Sequence, residues 1–88
     1  MSPWEKLSQR IVAAFRDKAD RTGVQRPLAA SEEHVCARHS VSLRILQEAA
    51  EIYGRQHAAP PRWILEHGKV TVFPRPGEWG NHRGPRRG

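Results

Sequence analysis

Ser31-Glu32-Glu33-His34-Val35-Cys36-Ala37-Arg38-His39-Ser40-Val41-Ser42-Leu43-Arg44-Ile45-Leu46-Gln47-Glu48-Ala49-Ala50 is the stretch that decides how this chain folds. Ser31 is a helix-capping residue, and Glu32 and Glu33 put negative charge where a helix N-terminus favours it. His39-Ser40-Val41-Ser42 breaks that helix after about two turns. Ser42 then caps a second helix, in which Ile45, Leu46, Ala49, Ile52 and Tyr53 recur at helical spacing as the expected buried face. Gly54 or the residues just after it end this helix, and Pro60-Pro61 forbid its continuation. The reading is two helices joined by a tight turn.

Upstream, Ser2-Pro3-Trp4-Glu5 combines a cap, a first-position proline and the acidic member of an S-x-x-E capping box. Trp4, Leu7, Ile11, Ala14, Phe15 and Ala19 form one apolar stripe, and Gly23 is a stop, so a helix is predicted over 3–22. Thr22 to Ala30, with Pro27, reads as a connector. Downstream, Arg62-Trp63-Ile64-Leu65-Glu66 and Lys69-Val70-Thr71-Val72-Phe73 flank His67-Gly68 and read as a β-hairpin with a two-residue turn. Glu66 then faces Lys69, Leu65 faces Val70 and Trp63 faces Val72, which gathers Trp63, Leu65, Val70 and Val72 on one apolar face. After Phe73, Pro, Gly and Arg dominate without periodicity. The expected organisation is a domain over 1–73 and a flexible basic tail over 74–88: mainly α, three helices with a β-hairpin.

Eighty-eight residues suit one domain; a chain this short buries only ~60% of its unfolded surface, which leaves no room for a deep substrate pocket. At 38% hydrophobic and 27% charged residues the chain is too apolar for full disorder. Fifteen Lys and Arg against nine Asp and Glu give a net charge of +6, which favours a polyanionic partner. Residues 1–30 carry +3, residues 31–59 carry −1 and residues 60–88 carry +4, so such a contact should involve the ends. The lone Cys36 forms no internal disulfide, no apolar run approaches a membrane span, and Met1 to Arg10 lacks the pattern of a signal peptide. The expected compartment is the cytoplasm.

The segment from Glu33 to Ala50 resembles the helix-turn-helix of DNA-binding proteins. Cys36 stands where that motif wants a small residue between its helices, Ser40 and Val41 where it wants a small turn residue and then an apolar one. Ser42 stands at its second cap, and Leu46 at its buried aliphatic position. A helix in front and a hairpin behind extend the resemblance to winged-helix domains over residues 3–73. It implies double-stranded DNA as ligand, with the first turn of the second motif helix at base edges of a major groove. Ser42, Leu43, Arg44, Gln47 and Glu48 would lie there, Arg44 forking to guanine and Gln47 bidentate to adenine. Arg62, His67 and Lys69 on the hairpin would meet phosphates. Many such proteins bind as dimers, and the outer face of the first helix is the surface available for a homodimer.

Arg83, Arg86 and Arg87 in the tail partly resemble a minor-groove arm, although the order here is Gly-Pro-Arg; solvated phosphate contacts are the plainer reading. Trp4 and Trp63 fall on apolar faces, whereas Trp79 either seals the core edge or anchors a partner. Cys36, His39 and His34 lack a second ligand pair, so neither a metal nor another cofactor is expected. No catalytic frame, phosphate loop or cofactor fingerprint appears, and the chain reads as a binding protein rather than an enzyme. From a different class comes a small inhibitor or adaptor, such as a mobile element encodes, acting on a nucleoprotein complex. Its acidic residues Glu48 and Glu51, or Trp79, would meet a protein partner.

Overall fold

The computed structural model describes residues 3–56 and 62–79, and for residues 53–56 the backbone alone. Helix α1 (Pro3–Thr22) keeps the expected bounds and buries Leu7, Ser8, Ile11, Phe15 and Ala19. The amides of Gly23 and Val24 both donate to the Ala19 carbonyl, with Gly23 at φ 77°. Helix α2 (Glu32–His39) starts on Ser31, whose Oγ accepts the His34 amide at 3.1 Å. Helix α3 (Leu43–Gln56) starts on Ser42, whose Oγ accepts the Ile45 amide at 3.2 Å. Both caps satisfy donors that a helix N-terminus leaves orphaned.

Strands β2 (Trp63–Glu66) and β3 (Lys69–Val72) form the hairpin in the expected register, with Trp63 opposite Val72, Leu65 opposite Val70 and Glu66 opposite Lys69. His67 and Gly68 both hold positive φ, 55° and 74°, as a two-residue turn of this hand requires. One strand corrects the reading of Thr22–Ala30 as a plain connector. Leu28–Ser31 is strand β1, antiparallel to β3, with Leu28 opposite Val72 and Ser31 opposite Lys69. The sheet order is β1-β3-β2. Leu28 and Ala30 are half-buried while Ala29 and Ser31 are exposed. Four residues with two weakly β-forming alanines carry little signal of their own; the partner strand supplies it.

The core gathers side chains from every helix and from the hairpin: Leu7, Ile11, Phe15, Ala19, Val35, Leu46, Ala49, Trp63, Val70 and Val72. Trp63 is fully buried and its indole N–H donates to Ser8 Oγ at 2.6 Å, which seats the sheet on α1. Ile45 departs from expectation: it is 39% exposed, because the buried arc of α3 centres on Leu46 and Ala49. Adjacent helical positions lie about 100° apart, so Ile45 sits at the edge of that arc.

The ordered domain also extends past Phe73, so the boundary expected there is moved. Pro76 and Gly77 (φ 74°) occupy the centre of a turn closed by the Glu78 amide on the Arg75 carbonyl at 2.9 Å. That turn delivers Trp79 into the core at 1% exposure. The expected Ser2 cap, the Tyr53 side chain and the tail arginines Arg83, Arg86 and Arg87 lie outside the described residues.

Candidate nucleic-acid interface

Ser40 sets the direction of α3. It holds φ 55°, ψ 45°, in the left-handed region, and its amide donates to the Ala37 carbonyl at 3.4 Å. The Val41 amide donates to the Cys36 carbonyl at 3.1 Å. These two bonds close the end of α2 in a Schellman arrangement, in which glycine is the usual left-handed residue. Val41 and Cys36, the two positions whose apolar side chains commonly accompany this cap, are both packed against the core. The chain leaves the turn through Ser42 directly into α3.

The first turn of α3 faces solvent. Arg44 has an 87% exposed side chain, Leu43 is 39% exposed, and Gln47 is exposed beside them. Arg44 Nε lies 3.9 Å from Glu48 Oε2, one helical turn on. A pair this long and this wet holds neither side chain in place. Arg44 therefore keeps its guanidinium free to fork to another acceptor. Sequence reasoning put Ile45 inside, so it missed that an apolar side chain joins this exposed turn.

The hairpin tip carries His67, Gly68 and Lys69, all exposed. It is held from behind, because the Gly68 carbonyl accepts the Glu32 amide at 2.9 Å and Lys69 pairs with Ser31. The tip is thus fixed relative to α2 and α3. Arg62 stands apart from it. Its Nη2 reaches both carboxylate oxygens of Glu78 at 2.8 Å, in a half-buried pair that ties the start of β2 to the Trp79 turn. Arg62 is a clasp of the fold, not a partner of Lys69 at the tip. Nothing in the local sequence marks this pairing, which spans sixteen positions.

Charge elsewhere follows from the same packing. Burial, then Arg38, Arg10 and His34, push the His39 imidazole below its ordinary range. A basic locus of α1 and α2 therefore lies beside the turn. Burial, with a smaller push from Glu32, raises the Cys36 thiol and keeps it protonated. Among the described residues no cluster of His, Cys, Asp or Glu is placed to hold a metal ion, and no helix is long and apolar enough to cross a membrane. Comparison with known protein families, curated proteins and solved structures finds no match for this chain.

Proposed function

We propose that this protein is a small winged-helix-like DNA-binding protein, a transcriptional regulator or accessory factor, that lays the first turn of α3 in a major groove. The observation that carries the reading is the solvent-facing turn of Leu43, Arg44 and Gln47 behind the Ser40 turn and Ser42 cap, next to a hairpin tip fixed in place. Arg44 and Gln47 are the side chains suited to bidentate contacts with guanine and adenine. Lys69 and His67, exposed at the hairpin tip, would meet phosphates on the flank, and the net charge of +6 supports approach to a polyanion. Arg62 is left out of this reading, since its half-buried side chain is tied through Nη2 to the Glu78 carboxylate.

The test is a salt titration of binding to duplex DNA, selected from a random pool and compared with an unrelated duplex. Arg44→Ala should lower affinity for the selected site by ~1–3 kcal/mol while leaving non-specific affinity and folding nearly unchanged. Equal, small losses on both duplexes would remove α3 from the role of base reader.

A further inference from the structure

The sheet order β1-β3-β2 leaves β2 as an edge strand. A two-residue turn makes Glu66 and Lys69 a hydrogen-bonded pair, and antiparallel ladders alternate, so Ile64 and Thr71 form the next such pair. The bond from the Phe73 amide to the Arg62 carbonyl, 2.9 Å, continues the same alternation. The backbone groups of Trp63 and Leu65 therefore point away from β3. Beside them lies a groove of ≈ 380 Å³ between β2 and α3. Consecutive strand residues point to opposite faces, yet Ile64, Leu65 and Glu66 all line the groove, so it opens along the strand edge itself.

The groove has a definite chemistry. Ala50 and Leu65 give it an apolar floor, Gln47 and His67 border it, and Glu32, Glu51 and Glu66 set three acidic residues around it; among the described residues no Lys or Arg lines it. In a chain of net charge +6 this is a local reversal of sign. Phosphates are repelled there. A strand with basic side chains is matched in both backbone and charge, since edge addition draws affinity from main-chain hydrogen bonds and selectivity from alternate side chains.

We propose that this groove receives an extended, basic segment of a protein partner, which adds as a strand along β2 and sets its Lys or Arg side chains against Glu32, Glu51 and Glu66. Gln47 and His67 belong both to this groove and to the surface proposed for DNA, whereas Leu43 and Arg44 lie outside its lining; peptide binding is read in the absence of DNA and so does not depend on α3 reading bases.

The test uses the full chain and a capped Lys-Val-Lys-Val-Lys-Val peptide, followed by fluorescence anisotropy and by amide shifts in NMR spectra. Saturable binding is expected, with the largest shifts at Ala50, Leu65 and Glu66. Glu51→Gln combined with Glu66→Gln should weaken it about fivefold or more. The same peptide N-methylated at alternate amides should lose most of its affinity for the unaltered protein, because it cannot complete a ladder; this arm needs no variant to fold. Absence of saturable binding, or equal binding of the N-methylated peptide, overturns the proposal. Binding that appears only when Arg83, Arg86 and Arg87 are all changed to Gln would assign the groove to the chain's own basic end and overturn it. Shifts at these amides that follow protein concentration alone would assign it to a second copy, and shifts driven by duplex DNA but not by peptide to nucleic acid, with the same consequence.

Discussion

Ser40 holds a conformation that costs an L-residue with a Cβ roughly 1 kcal/mol and costs glycine almost nothing. Its side chain is exposed, so little burial offsets this. Ser40→Gly should therefore stabilise the protein by up to ~0.6 kcal/mol, once the ~0.4–1 kcal/mol cost of the extra freedom glycine gives the unfolded chain is taken off. A shift of that size is readable as a higher urea midpoint at unchanged slope; a lower midpoint would mean that the turn is not under strain. Ser8 presents the opposite case, a polar residue enclosed by the core. Its hydroxyl is the acceptor for the buried Trp63 indole, so Ser8→Ala orphans that N–H and should cost ~1–3 kcal/mol in the same measurement. The position of Ser40 was legible in its neighbours, a helix ahead and a capping serine behind. Ser8 was not, because its partner lies fifty-five positions away.

Among the elements, the hairpin and the helix ends were legible and β1 was not. A two-stranded ribbon is marginal by itself, and β1 makes this hairpin a three-stranded sheet with β3 in the middle. The segment over 74–79 does the same service on the other side. Its proline and glycine content resembled the start of a loose tail, yet they build a turn that carries Trp79 inward. Trp79→Ala should therefore cost ~3–5 kcal/mol, the range for emptying a buried aromatic site. Such a loss approaches the whole stability of a domain this small. A thermal melt left nearly unchanged would return these six residues to the tail.

For the molecule as a whole, acid should act in two separate steps. The His39 imidazole is pushed below its ordinary value of 6.5 by burial, then by Arg38, Arg10 and His34. The unfolded chain thus takes up that proton first, and stability present above 6.5 is lost as pH falls toward the lower folded value. Burial alone would raise the Glu78 carboxyl, but the Arg75 amide, the Arg62 guanidinium and the charge of Arg16 outweigh it and hold it below 4.5. Its contribution is present above that value and is lost as pH falls through the folded one. Urea midpoints measured from about pH 8 to about pH 3 should fall in both windows. His39→Gln should flatten the first step and Glu78→Gln the second; a midpoint that rises on entering the histidine range would reverse the sign argued here.

What the sequence determined by itself is what short-range forces decide. Caps at Ser31 and Ser42, the apolar period of α1, the break at Ser40 and the register across His67-Gly68 each depend on residues within a few positions of one another. Tertiary structure decided what depends on distant partners. Leu28 becomes a strand residue only because Val72 lies opposite, and Arg62 becomes a clasp only because the Pro76-Gly77 turn returns Glu78 to it. Ile45 stays at the surface because the arc of α3 that the core covers centres on Leu46 and Ala49, and the acidic groove exists only where α3 passes β2. Local energies select conformations one residue at a time, whereas pairing and burial are properties of two surfaces that meet only after the chain has folded.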